Sequence, residues 1–393
     1  MKKSFHLLWV SQLFANLGDV FYIVGLISIL YHASESVFWL ALLPFVNMTG
    51  RMISSSFAPL LFNRYKLKTV LVFSQAGKTM LLVLLVTGIL HHEWLYALFS
   101  LVFTIALLDG VAQPASAALL PRIVDKSKLL RANSVLSMIN DSTQLGGWAL
   151  GGLLVVVLDG QSVIALTFIL YILSTCCMAF IVDKTPLEKN ITRSKWQELT
   201  EGFRIIITTP PYRAIHIVLV AESIANVVWV AAIMYIFVAD VLHVSEAWWG
   251  YLNATFFIGF IIGGFVCTKF ENQLNEKMKD TIIVCSFSVA ILLIVFGFNN
   301  LAVIALLISL AYGVFEQIKG IVITTFLQKE ASDEQLVKIY SAQGVIVSFV
   351  FGVSILIAGA AANVLSVQWL YIVAGVILLG AAIYFLSVRN LIK

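Results

Sequence analysis

Long apolar runs alternate with short polar gaps along this chain, and about 20 consecutive apolar residues are what a helix needs to cross the hydrocarbon of a bilayer. Measured with that ruler, the pattern predicts helices over Phe5 to Tyr31, Val37 to Phe62, Thr69 to Leu90, Trp94 to Leu119, Ala132 to Leu158 and Ser162 to Val182. A polar stretch follows, and then runs over Tyr212 to Asp240, Trp248 to Phe270, Thr281 to Phe298, Leu301 to Leu327, Val337 to Val364 and Val367 to Val388. The expected fold is an all-α integral membrane protein, with twelve transmembrane helices in two six-helix lobes, 1–182 and 214–393. Residues 183–213 form the linker, in which Trp196, Leu199, Phe203 and Ile206 recur at helical spacing. That spacing predicts an amphipathic helix over Ser194 to Ile207, lying on the membrane surface as an inter-lobe tether or as a plain connector. The first run is too long for the apolar core of a signal peptide and lacks a convincing cleavage site, so it is expected to remain.

The polar gaps are not alike. Lys2, Lys3, Arg64, Lys66, Lys68, Arg122, Lys126, Lys128, Arg131, the basic residues from Lys184 to Arg213, Lys269, Lys277, Lys279, Lys329, Lys338, Arg389 and Lys393 all fall in every second gap. Basic loops stay cytoplasmic, so this asymmetry puts both termini in the cytoplasm and the chain in the cell membrane. It also leaves Arg51, Lys78 and Lys319 stranded inside apolar runs.

Composition agrees: 60% of the residues are hydrophobic and 12% charged, where a soluble domain has roughly 25% charge. The net charge of +4 therefore reads as topology and lipid headgroup contact, and no nucleic-acid partner is expected. Cys176, Cys177, Cys267 and Cys285 lie in or beside the runs, where they serve as small apolar residues; neither disulfides nor a metal site is expected.

The halves echo each other. Asp109-Gly110, Leu120 and Leu129 to Ser134 are answered by Tyr312-Gly313, Leu327 and Leu336 to Ser341. Paired six-helix halves of this kind describe a transporter that rocks around a site at their interface.

Several motifs then resemble the major facilitator superfamily, and within it the branch of macrolide-efflux proteins and the enterobactin exporter. They are Asn16-Leu17-Gly18-Asp19, the loop Phe62 to Lys68, Pro114-Ala115 through Leu120-Pro121-Arg122, Arg131 to Ser134, and Gly147 to Gly152. The resemblance covers the N-terminal half well and the C-terminal half mainly by span count. It implies that spans one, four, seven and ten line a central cavity and that Asn63, Arg64 and Lys68 belong to a cytoplasmic gate loop. Two departures stand out: Asn63 replaces an Asp that forms an ion pair in relatives, and Trp148 replaces a Pro that kinks span five.

An ionised side chain at the bilayer centre costs about 2.5–3.5 kcal/mol on insertion scales, so charges placed there need a reason. Asp19, Asp109, Glu222 and Glu316 fall on the four cavity spans that the resemblance implies, while Asp141 falls near the cytoplasmic start of span five. At least one of the four is expected to exchange a proton for cargo, with Asp19 first because its motif matches the family's; the alternative is a carboxylate that only locks spans together. Glu316 and Lys319 are spaced to pair on one helical face, with Lys319 otherwise a counter-ion for cargo. Arg51, near Asn47, is expected to reach a carboxylate on a neighbouring span. Lys78, on a span the resemblance makes peripheral, is expected to snorkel or to be paired locally rather than to touch cargo.

Gly147 and Gly151, four apart, let two helices approach closely, and with Gly152 they mark a packing or hinge segment. Phe21, Tyr22, Trp229, Tyr235, Phe237 and Phe315 would suit a lipophilic cargo if they face the cavity, or core packing if they do not. Trp39, Trp94, Trp248, Trp249 and Trp369 sit near span ends, as interfacial belts require, and His32, His91, His92 and His243 read as outer loop residues.

The expected function is secondary transport, either proton-coupled efflux of amphipathic drug-like compounds or metabolites, or proton-coupled uptake through the same carboxylates. No phosphate-binding Gly-x-x-x-x-Gly-Lys-Ser/Thr loop is present, so no nucleotide cofactor is expected. A membrane-embedded receptor or enzyme is disfavoured; for an enzyme, His216, the histidine well inside a run, has no matched partner group. The expected partners are a small-molecule substrate, protons and the lipid bilayer, with the protein a monomer.

Overall fold

The structure is a computed structural model and describes residues 3–34, 37–86, 95–183, 195–362 and 364–389. The expectations placed on Lys2, His91, His92, Trp94, Lys184, Ser194 and Lys393 lie outside the described residues. The helices are α1 (Lys3–Ser34), α2 (Val37–Phe62), α3 (Leu67–Val86), α4 (Leu95–Ile123), α5 (Leu129–Leu158), α6 (Gly160–Ala179), α7 (Lys195–Thr208), α8 (Pro210–Ala225), α9 (Ala231–Ile236), α10 (Ala247–Lys269), α11 (Glu271–Glu276), α12 (Met278–Phe298), α13 (Ala302–Glu330), α14 (Asp333–Ala362) and α15 (Val367–Ser387).

Helices follow from the solvent: lipid offers backbone groups no partner, so each apolar segment must satisfy its own. Among the described residues eleven helices are long and apolar enough to cross a membrane, and α2 is a further long apolar helix. Large apolar side chains such as Phe45, Phe73, Met80, Leu153, Val156 and Leu356 stay exposed, as lipid contact permits. Polar punctuation sets the ends. Asp159 takes a positive φ of 72° between α5 and α6, and its carboxylate accepts a hydrogen bond from the Ser162 amide at 2.8 Å, capping α6.

Span seven departs from expectation. The sequence predicts one helix over Tyr212 to Asp240, but the chain breaks after α8 into a 3₁₀ turn at Asn226–Trp229, an extended Val230, short α9 and a π-helical turn at Phe237–Val241. Tyrosines from neighbouring helices satisfy polar groups at the break. The Tyr371 hydroxyl donates to the Val228 carbonyl at 2.8 Å, and the Tyr312 hydroxyl donates to Asn226 Oδ1 at 2.9 Å. Trp229 fills the joint, its ring 5.0 Å from Tyr312, 5.3 Å from Phe296 and 5.5 Å from Phe256.

The chain forms two compact units: Met1–Leu129, Ile139–Gly202 and Ala331–Gly344 in one, and Leu130–Met138, Phe203–Glu330 and Val345–Lys393 in the other. Within the first, α1 packs on α6, α2 on α4, and α3 on both α4 and α6. Within the second, α8 packs on α15, α10 on α13, and α12 on both α13 and α15, which is the same scheme with the spans counted from seven. The paired glycines occupy matching places in it. A Cβ at Gly110 would lie 2.7 Å from the Arg51 Cα on α2, and one at Gly313 would lie 3.3 Å from the Gly259 Cα on α10. Each glycine thus lets the fourth span of its unit close on the second.

A helix forms where the amphipathic spacing predicts one, as α7. Gly202 packs against the Lys338 backbone of α14 within the first unit, and the buried Lys338 ammonium donates to Glu201 Oε2 at 2.8 Å and to Glu334 Oε1 at 2.6 Å. Trp196 and Ile207 remain exposed.

Candidate functional site

Each unit encloses one cluster of intramembrane charges. In the first, Gly18 prepares the ground: a Cβ there would come within 2.6 Å of the Tyr171 ring, so its absence lets Tyr171 close on α1. The Tyr171 hydroxyl then donates to Asp19 Oδ1 at 2.5 Å. Lys78 arrives from α3 and donates to Asp19 Oδ1 at 2.7 Å and to Asp109 Oδ1 on α4 at 2.9 Å, its ammonium 4.8 Å from the Tyr171 ring centre. Arg51 on α2 ties the other oxygen, with Nη2 2.8 Å from Asp109 Oδ2. Two carboxylates meet two cations, so the cluster is balanced in charge. Lys78 is 1% exposed, which removes snorkelling and leaves the fixed pairing. A small pocket beside these charges is lined by Tyr22, Ile23, Asn47 and Ile105 as well.

The second unit is arranged differently. Lys319 on α13, 1% exposed, donates to Glu316 Oε2 one turn before it at 2.7 Å. Glu222, near the end of α8 and just before the break in span seven, places Oε1 2.8 Å from the same ammonium. That buried oxygen has no hydrogen-bond partner beyond this ion pair, so Glu222 is the less well satisfied carboxylate. Here two carboxylates share one cation. Around them lie the thiol of Cys285 on α12 and the hydroxyl of Tyr312 on α13, both within electrostatic reach.

The sequence-derived candidates therefore gather into two groups, Asp19, Asp109 and Arg51 in one and Glu222, Glu316 and Lys319 in the other. Lys78 and Tyr171 were not among them. Lys78 carried a signal, being a lysine stranded in an apolar run, whereas Tyr171 is one tyrosine of 12 with nothing in its neighbours to mark it. In the loop after α2, Asn63 is half-buried and Arg64 exposed, and among the described residues neither Arg64 nor Lys68 forms an ion pair. Arg122, at the end of α4, is engaged instead, 3.7 Å from Asp333 and 4.0 Å from Asp183. Gly147 and Gly151 pack on α1 at Val20, Phe21 and Val24, while Gly152 faces open space and takes no part in that contact. Phe237 is fully buried, its ring stacked 4.8 Å from Phe296, so its role is packing. Among the described residues no group of His, Cys, Asp and Glu is placed to hold a metal ion.

Comparison with known proteins places this geometry. The family model described as Major Facilitator Superfamily matches residues 8–353. YfmI of Bacillus subtilis strain 168, an uncharacterised transporter of that type, is 28% identical over 395 residues, covering 98% of this chain and 97% of the relative. YjbB of the same organism, also uncharacterised, is 29% identical over 395 residues, covering 98% and 94%. Among solved structures, FucP in its outward conformation aligns with a TM-score of 0.80 at 13% identity, covering 98% of this chain and 99% of that one. A bacterial homologue of the iron transporter ferroportin aligns at 0.79 and 15%, covering 99% and 100%, a likeness of fold alone. With that match over most of its length, its apolar helices and its repeated helix-packing scheme, this multi-pass membrane chain belongs to the major facilitator superfamily and is a transporter of small molecules, not an enzyme.

Proposed function

We propose that the protein is a proton-coupled exporter of amphipathic drug-like compounds or metabolites, in the manner of the macrolide and enterobactin exporters that its N-terminal motifs resemble. The observation that carries this reading is the unequal charge of the two clusters. The Asp19, Asp109, Arg51 and Lys78 group is balanced, so it holds α1 to α4 together without needing a proton. The Glu222, Lys319 and Glu316 group keeps one negative charge in excess in a buried site. One proton neutralises it, and uncompensated buried charge is costly enough that release must be matched by another event. Its place beside the broken stretch of span seven suits coupling, since irregular backbone at membrane depth lines pathways in transporters. Glu222, the less well satisfied carboxylate, is the proton carrier in this reading, and Asp19 passes from first candidate to structural partner.

Everted membrane vesicles bearing the protein test it. With the interior acidified, lipophilic amphiphiles are expected to accumulate inside and to draw down the pH gradient, and Glu222→Gln to abolish both effects. Accumulation in right-side-out vesicles instead would establish uptake, which the same carboxylates permit, and transport indifferent to the pH gradient would end the coupling role.

A further inference from the structure

The pocket in the first unit contains polar atoms that its ion pairs leave unused. The Tyr22 hydroxyl is buried, 2% exposed as a residue, and has no hydrogen-bond partner. The Arg51 guanidinium spends Nη2 on Asp109, while its Nε–H, also buried, has none. Both side chains line the same pocket, with the Asn47 amide beside them and Ile23 and Ile105 as apolar walls. Buried donors without acceptors are rare enough in folded proteins to require an account. The pocket has room for a group of about the size of one water molecule. Arg51, which lines it, has a side chain 37% exposed.

These features define the chemistry of an occupant. Arg51 Nε–H can only donate, so it selects an acceptor. The four charges already cancel, so an incoming carboxylate would add an unbalanced buried charge, whereas a carbonyl, ether or hydroxyl oxygen adds none. We propose that this pocket is a polar anchor for cargo, in which Tyr22 and Arg51 donate to a single uncharged acceptor oxygen on an otherwise apolar molecule. The inference rests on the transporter reading only in taking the ligand to be cargo, and it does not depend on proton coupling.

The test is equilibrium binding to the full chain in lipid nanodiscs, with no gradient present and empty nanodiscs as the partition control. Three pyrene probes are compared: the methyl ester of pyrenebutyric acid, the free carboxylate, and butylpyrene, which has no oxygen. A hydrogen bond from a charged donor contributes about 1.5–3 kcal/mol, so the ester is expected to bind about ten-fold or more tightly than butylpyrene, with the carboxylate weaker than the ester. Tyr22→Phe removes one hydroxyl, and Arg51→Lys keeps the charge facing Asp109 while losing the Nε–H. Each is expected to reduce the ester preference several-fold, Tyr22→Phe at unchanged melting temperature. Equal binding of ester and butylpyrene, preference for the carboxylate, no saturable ester binding, or an ester preference undiminished in both variants would overturn the proposal. Failure of pH-driven transport with ester preference intact would count against the coupling and leave the anchor standing.

Discussion

Replacing Lys78 by Met keeps an unbranched side chain of similar length and removes the one charge that Asp19 and Asp109 share. The ammonium lies 2.7 Å and 2.9 Å from the two carboxylates, fully out of solvent. Breaking a buried ion pair from one side costs about 3–5 kcal/mol, because the remaining charge is stranded. Here Asp109 keeps Arg51 and Asp19 keeps the Tyr171 hydroxyl, which puts the expected cost near the lower end, about 3 kcal/mol. Domains of 150–250 residues lose about 2–4 °C per kcal/mol, and a longer chain less, so Lys78→Met should melt roughly 5 °C below the parent. Thermal scanning in detergent at one fixed scan rate measures this, since unfolding of such a protein is not reversible. The double variant Lys78→Met with Asp19→Asn removes the stranded charge and should recover about half of the loss, a coupling that only direct contact produces. A Lys78→Met protein melting within about 1 °C of the parent would show that this lysine reaches the membrane surface instead, and the balanced cluster would be lost with it.

Three further outcomes follow from the packing. Gly110→Ala drives a methyl group into the Arg51 backbone and should destabilise by about 1–3 kcal/mol, whereas Gly152→Ala, in open space, should leave the melting temperature unchanged. Trp229→Ala empties the joint of span seven; Trp229 is half-buried, so the loss should fall somewhat below the 3–5 kcal/mol of a fully buried tryptophan and show in the same thermal scan. Gly202→Leu cannot fit against the α14 backbone at Lys338 and should release α7, read as faster limited proteolysis between Lys195 and Thr208 with the remaining helices intact.

Much of this architecture was readable in the sequence because lipid allows so few solutions. Spans such as Val37–Phe62 and Val367–Ser387 begin where the hydrophobic pattern puts them, and the amphipathic spacing from Trp196 to Ile206 marks α7. Stranded charges pointed to the clusters for the same reason, since Arg51, Lys319 and four acids would not lie in apolar runs without partners. Hydropathy does not register what happened to span seven: Val227, Val228 and Val230 are as apolar in a broken helix as in a whole one, and the tyrosines at the break, Tyr312 and Tyr371, come from α13 and α15. For Lys78 the sequence left snorkelling and a fixed local pairing open, and the pairing holds because a helix that is peripheral by order can still point one side chain inward. The difference in charge between the two clusters was hidden as well, since it depends on which cation each acid meets in space.

That difference carries the proposed coupling, and infrared difference spectroscopy on the protein in lipid addresses it directly by following the carbonyl stretch of protonated carboxyl groups over the pH range in which exposed carboxylates stay ionised. Two carboxylates around Lys319 should give a band equivalent to one proton per protein. Either Glu222→Gln or Glu316→Gln leaves one carboxylate facing one ammonium, a balanced pair, so each should remove the band, while Asp19→Asn should retain it. A band that survives both glutamate substitutions, or one that vanishes with Asp19→Asn, would contradict the account.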